Sequence, residues 1–195
     1  MSMAHDLQSI FAELETFGQA HDAAEPEHAH KFLNLERDTA RLLDILLRAV
    51  HAQSVLEIGT SNGYSTLWIA EAMRCTGGRV VSIERSPEKH AMARANLTRA
   101  GLVELVDLRR GDATEIIAAL PGPFDAVFFD ADRVSAPRQL EMLMPKLAGR
   151  ALLLADNTLS HPEEIRAYLD AVNALPDFRH IVVPIGKGLS VAQRG

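Results

Sequence analysis

The chain of 195 residues is 47% hydrophobic and 24% charged, ordinary values for a folded soluble protein. No apolar run approaches the roughly 20 residues of a membrane helix, and the lone Cys75 excludes an internal disulfide. A net charge of −6 argues against a long nucleic-acid backbone as the main partner, although Arg109-Arg110 and Arg133 with Arg138 remain as local basic clusters.

The length suits one domain spanning 1–195, with residues 1–50 as N-terminal helices and 54–195 as the core. The opening Met1-Ser2-Met3-Ala4-His5-Asp6 lacks the basic start and apolar stretch of a secretory signal, which with Cys75 predicts a cytoplasmic protein. Leu7, Ile10, Phe11 and Leu14 recur at helical spacing, as do Leu35, Leu42, Leu43, Ile45, Leu46 and Val50. The two helices they predict serve as a lid or a subunit contact, and the first stripe predicts a symmetric homodimer. The polar stretch Gln19 to Pro26 between them reads as a loop.

From Ser54 short apolar runs alternate with amphipathic stretches. Ser54–Ile58 precedes a helix over Ser65–Met73, and Arg79–Glu84 precedes a helix that Ser86 caps, Pro87 opens and Gly101 closes. Glu104–Leu108 leads to Thr114–Leu120, Phe124–Phe129 to Pro137–Leu147, and Ala151–Ala155 to Pro162–Ala174. Five such units in succession predict an α/β, doubly wound, Rossmann-like sheet, mainly parallel, with helices on both faces. The tail differs: Arg179–Pro184 and Leu189–Ala192 are separated only by Ile185-Gly186-Lys187-Gly188, which fits an antiparallel hairpin.

The strongest local signal is Val55-Leu56-Glu57-Ile58-Gly59-Thr60-Ser61-Asn62-Gly63-Tyr64-Ser65-Thr66, a strand running through a glycine-bracketed turn into a helix. Glycines let a backbone approach a ligand, and the helix start presents free amides. Glu84 ends the second strand, where an open α/β sheet places an acid against ribose hydroxyls. The three residues between Gly59 and Gly63 contain no glycine, so the G-x-G-x-x-G pyrophosphate cradle is missing and a nucleoside cofactor without phosphates is favoured. Gly111-Asp112-Ala113 follows the third strand and brings Asp112 towards an adenine amino group, or caps the next helix.

On these motifs the stretch from about Phe32 to Ala192 resembles the class I methyltransferases, more narrowly the catechol and caffeoyl-CoA O-methyltransferase-like family of bacteria and plants. The resemblance implies a sheet of seven strands with a reversed last strand and S-adenosylmethionine as cofactor. It implies that Glu57, Gly59, Thr60, Gly63 and Ser65 line the methionine end, with Ser61 and Tyr64 beside them. Glu84 with Arg85 would hold the ribose, and Gly111, Asp112 and Ala113 the adenine.

Asp130 ends the fourth strand, and Asp156-Asn157 follows the fifth, at the ends that face the ligand crevice of a doubly wound sheet. If those strands are neighbours, Asp130, Asp156 and Asn157 converge three oxygen ligands suited to Mg²⁺ or a similar divalent cation. Alternatively each acid caps the helix or turn after it. The resemblance implies the ligand role, with the ion binding neighbouring hydroxyls of a small aromatic acceptor, lowering the pKa of one and aiming it at the donor methyl, and with Asp130 touching both donor and ion. One departure stands out. The family's Asp-Ala-Asp is followed by a lysine and then by tyrosines, whereas Arg133, Ala136 and Gln139 stand here. Arginine stays protonated, so Arg133 is a poor general base but suits an oxyanion; a hydroxide at the cation, Asp132 or His161 are the other proton acceptors. Methylation of a hydroxyl on a modified tRNA base and non-catalytic binding of S-adenosylmethionine are the competing functions.

Overall fold

A computed structural model describes residues 3–195; Met1 and Ser2, the start of the segment read for a leader, lie outside it. Seven strands form one sheet: β1 (Ser54–Ile58), β2 (Arg79–Glu84), β3 (Val106–Arg110), β4 (Phe124–Phe129), β5 (Leu147–Ala155), β6 (Phe178–Val183) and β7 (Leu189–Arg194). Their order is β3-β2-β1-β4-β5-β7-β6. β1 pairs in parallel with β2 and β4, β2 with β3 and β4 with β5, while β7 runs antiparallel to both β5 and β6. The chain thus winds outward from β1 in one direction and returns to start again at β4 in the other. The crevice beyond the carboxyl ends of β1 and β4 is the topological switch point where such sheets bind ligands.

Alternation along each strand divides the core. In β4, Ala126 and Phe128 face one layer and Val127 and Phe129 the other; in β5, Leu152 and Leu154 oppose Leu153 and Ala155. The first layer is closed by α1 (Met3–Ala24), α2 (Arg37–Ala49), α3 (Tyr64–Thr76) and α4 (Pro87–Arg99), the second by α5 (Ala113–Ala119), α6 (Ala136–Leu143) and α7 (Pro162–Asn173).

The stripe expected to pair two copies is therefore spent inside the chain. Leu7, Ile10, Phe11 and Leu14 are all buried, and Phe11 stacks on Trp68 with ring centroids 4.1 Å apart. An apolar stripe needs cover, and here the protein's own α3 supplies it, so the premise for a homodimer through this stripe is gone. The loop expected over Gln19–Pro26 is also corrected. Helix α1 continues to Ala24, where alanines favour it, and Asp22 accepts the backbone N–H groups of Phe32 at 2.7 Å and Leu33 at 2.8 Å.

Other boundaries shift modestly. β3 begins two residues late because Val103–Leu105 forms a 3₁₀ turn, and α6 stops at Leu143 because Pro145 lies in the 3₁₀ turn that follows. β5 begins at Leu147 rather than Ala151. Among the described residues no helix is long and apolar enough to cross a membrane.

Candidate active site

The β1–α3 loop is shaped by close approach. Gly59 has φ +102°, and a Cβ there would lie 2.2 Å from the backbone oxygen of Asp130, so no side chain fits between the ends of β1 and β4. Gly63, φ +89°, is the N-cap of α3. Below the loop Glu57 is fully buried, accepting hydroxyl hydrogen bonds from Ser65 and Ser82 at 2.6 Å and from Thr66 at 2.5 Å. Burial pushes its carboxyl up to about 7 despite those donors.

Glu84 accepts the backbone N–H of Ser61 on Oε2 and that of Ser86 on Oε1, both at 2.8 Å. The acid thereby fixes the loop while each of its oxygens carries only one of these two bonds. Thr60 shares a 2.6 Å hydrogen bond with Ser82, and Ser61 Oγ donates to the carbonyl of Phe32 at 2.9 Å. Across the crevice Asp112 caps α5, its Oδ1 accepting from Thr114 and Glu115, which leaves Oδ2 unused by the cap. Of the two alternatives for Asp112 the helix cap is the one observed, and it leaves an oxygen free.

These groups surround a cavity of about 480 Å³. Its wall includes Gly59, Thr60, Ser61, Tyr64, Ser65, Glu84, Arg85, Gly111, Asp112, Ala113, Asp130, Arg133 and Asn157. Of the expected donor residues, Glu57 and Gly63 stand behind the wall: Glu57 organises the hydroxyls and Gly63 allows the turn. Sequence reasoning missed the segment from His28 to Leu35, which roofs the cavity. Lys89 of α4 pins that roof by donating to the carbonyls of Ala29 at 3.0 Å and Lys31 at 2.6 Å. The signals are a half-buried lysine and Asp22, neither informative without knowing what lies opposite.

At the other end, Phe129 of β4 is in register with Ala155 of β5, so Asp130 and Asp156 emerge side by side. Burial raises the pKa of Asp130 well above the carboxylate range, Asp156 and Glu57 adding to it; burial also pushes Asp156 up to about 6. Asp156 lies behind Asn157 rather than on the wall, and its Oδ1 is buried without a hydrogen-bond partner. Asn157 adopts a left-handed φ of +66°, its Nδ2 directed to Asp130 Oδ1 at 3.4 Å and its Oδ1 taking the Ser160 hydroxyl at 3.2 Å.

Asp132, considered for proton transfer, and Arg133, considered for stabilising an oxyanion, are both otherwise engaged. Asp132 accepts the hydroxyl of Ser135 and the N–H of Val134, which lower its pKa, and Arg133 donates through Nε and Nη2 to one oxygen of Glu164. His161 lines the cavity with Nδ1 2.9 Å from Ser160 Oγ. Lys187, from the β6–β7 turn, reaches the same end and was not anticipated.

A doubly wound sheet with a reversed last strand, a cavity at its switch point lined by a glycine-bracketed loop and paired acids beside it define a class I methyltransferase architecture. The sequence matches the O-methyltransferase family over residues 2–194, and the chain belongs to that family. It is 33% identical over 131 residues to a catechol O-methyltransferase of Niastella koreensis (65% of this chain, 59% of that protein) and 37% identical over 120 residues to one of Mycobacterium tuberculosis (61% and 54%). Those matches thus span less than two thirds of either relative. The O-methyltransferase of Bacillus cereus, solved with S-adenosylhomocysteine, superposes with a TM-score of 0.82 at 26% identity, covering 96% of this chain and 91% of that one.

Proposed function

We propose that this chain is a cytoplasmic enzyme that transfers the methyl group of S-adenosylmethionine to a hydroxyl of a small, catechol-like aromatic, assisted by a divalent cation such as Mg²⁺. The donor half of the reading rests on the β1–α3 loop, Glu84 and Asp112 around one cavity, and on likeness to a relative solved with the demethylated donor. Thr60, Ser61, Tyr64 and Ser65 would enclose the methionine end, Glu84 would accept from the ribose hydroxyls, and Asp112 from the adenine amino group.

The observation that carries the acceptor half is the pair Asp130 and Asp156, one acid on the cavity wall and one buried behind it with an oxygen that has no partner. An orphaned carboxylate oxygen beside a second carboxylate is costly without a cation, so the residues fit the group the family implies. Asp130, Asp156 and the amide oxygen of Asn157 would hold it, the amide turning so that Oδ1 replaces Nδ2 opposite Asp130. Among the described residues no set of three His, Cys, Asp or Glu side chains is placed to hold a metal, so this centre needs the amide and outside ligands. When bound, the ion supplies charge that favours the ionised form of a neighbouring hydroxyl. The protein's own part is to hold donor and acceptor in line and keep water away from the sulfonium.

The test incubates the chain with S-adenosylmethionine and catechol and follows S-adenosylhomocysteine and 2-methoxyphenol, with and without chelator. Methoxyphenol that disappears with the chelator and returns with Mg²⁺ or Mn²⁺ is expected. Donor binding without methylation of any vicinal dihydroxyarene would overturn the acceptor; turnover indifferent to chelator would overturn the cation.

A further inference from the structure

Two cations reach the acceptor end of the cavity, Arg133 and Lys187; Arg133 is held by Glu164 of the cavity wall itself and Lys187 by Glu36 from outside it. The two are held differently. Arg133 sends Nε and Nη2 to one oxygen of Glu164 at 2.9 and 2.8 Å, so two of its donors are already occupied within the cavity wall. Lys187 makes a single contact, Nζ to Glu36 Oε1 at 3.3 Å, and an ammonium carries three donors, so two are left for a ligand.

The backbone around Lys187 is stitched to the loop that carries the paired acids. Its carbonyl accepts from Leu159 at 2.9 Å and Ser160 at 3.2 Å, and the carbonyl of Gly188 accepts from Thr158 at 3.1 Å. Gly188, at φ +91°, leaves no room for a Cβ, which would come within 2.5 Å of Thr158 Oγ1 and Leu159 Cγ. Lys187 is thus fixed relative to Asp156 and Asn157 by three hydrogen bonds and a tight backbone approach. Its charge, like that of Arg133, opposes the rise that burial imposes on both Asp130 and Asp156.

We propose that Lys187 is a catalytic residue, its ammonium donating a hydrogen bond to the acceptor oxygen as that oxygen loses its proton and attacks the donor methyl. This rests on the hydroxyl-methylating function proposed above. The hydroxyl proton passes to water, an O–C bond forms, and the C–S bond breaks with its electron pair staying on sulfur, which becomes a neutral thioether. Lys187 keeps all its protons throughout. A donor aimed at developing negative charge acts most strongly in a water-poor cleft, and it restores from the β6–β7 turn a lysine that position 133 lacks.

The test compares wild type, Lys187→Gln, Lys187→Arg and Arg133→Gln for methylation of catechol at saturating donor. Lys187 is one-third exposed and its stitching is made by the backbone, so the substitutions leave the turn's hydrogen bonds in place. Lys187→Gln is expected to lower kcat/KM about 100-fold, mostly in kcat, with affinity for S-adenosylhomocysteine within twofold of wild type. Lys187→Arg should recover at least tenfold, and Arg133→Gln should lose less than Lys187→Gln. A second readout needs no turnover: at fixed pH the visible absorbance of bound 4-nitrocatechol should report a smaller ionised fraction in Lys187→Gln than in wild type. Activity of Lys187→Gln within threefold of wild type, an arginine variant no better than the glutamine one, a larger loss at Arg133, or unchanged ionisation of the bound probe would each overturn the role. A wild type that methylates no catechol overturns the proposed function instead, and the role of Lys187 with it.

Discussion

The two ends of the cavity are built on opposite electrostatic principles. At the donor end the two acids around the β1–α3 loop are answered: three hydroxyls serve Glu57 and two backbone N–H groups serve Glu84. Behind the acceptor end Asp156 Oδ1, Glu36 Oε2, Thr39 Oγ1 and Thr158 Oγ1 are buried without partners, and Asp156 adds to the cost of ionising Asp130 as Glu36 adds to that of Asp156. A pre-satisfied pocket holds a fixed shape for a neutral adenosyl group. An unsatisfied one has unmet hydrogen-bonding and charge demand, which under the proposed function a cation and a hydroxylated ligand would meet, so the two halves should fail separately when disturbed.

The widest break is the one residue that joins them. Gly59→Ala places a methyl group 2.2 Å from the Asp130 carbonyl at a φ of +102°, so β1 and β4 must part. A loss of about 2 to 5 kcal/mol in stability is expected, together with both donor binding and turnover. Thermal melts and donor titrations check it; a variant that melts like wild type would mean the strand ends are looser than their contact implies.

Next comes the acceptor half alone. Asp156→Ala should lower turnover by roughly 100- to 1000-fold, the scale of losing a preorganised charge at a reacting centre, while S-adenosylhomocysteine binds as before. Calorimetry beside a product assay separates the two, and a parallel fall in donor affinity would erase the boundary between the halves. The converse is Glu84→Ala, expected to weaken the donor by about 1 to 3 kcal/mol with the acceptor end intact. Equal donor affinity in wild type and variant would remove Glu84 from the pocket.

The same division explains what the sequence disclosed. Donor-end features are local: the strand, glycine turn and helix of residues 54–66 are contiguous, and β2 and β4 have the bounds expected because apolar runs there end in glutamate or aspartate. The antiparallel tail hairpin followed from its short connection and the seven strands with a reversed last one from the family resemblance, whereas the strand order was not read from the sequence. Nonlocal features stayed hidden. The roof from His28 to Leu35 is irregular and held by Asp22, Ser61 and Lys89, residues up to 60 positions away. Lys187 looks like a turn residue until the β6–β7 hairpin is laid against the loop after β5. The α1 stripe was legible as apolar but not as internal, since periodicity says that a face is covered and not by what.

The smallest expected effect tests whether the acceptor end's unmet demand is for positive charge. Asp156 rises to about 6 from its ordinary 3.8, chiefly through burial, and Asp130 rises in the same direction. A carboxyl whose folded pKa lies above its unfolded value contributes stability that is complete below the unfolded value and is lost as pH rises through the folded one. The pair should therefore destabilise the cation-free chain progressively from about pH 4 to above pH 6. A cation replaces the protons, and its binding requires that they leave, so it should stabilise the fold only on the alkaline side of that window. Millimolar Mg²⁺ or Mn²⁺ is expected to raise Tm by about 2 to 4 °C at pH 7.5, corresponding to about 1 kcal/mol in a chain of this size, and by less than half as much at pH 5. Asp156→Asn, which removes the charge but keeps the shape, should melt higher than wild type at pH 7.5 without a cation and gain little when one is added. A shift that is equal at both pH values, or an Asp156→Asn variant that still responds fully, would mean that the cation acts elsewhere on the surface and that the buried pair at the end of β4 and β5 is held by something other than a metal.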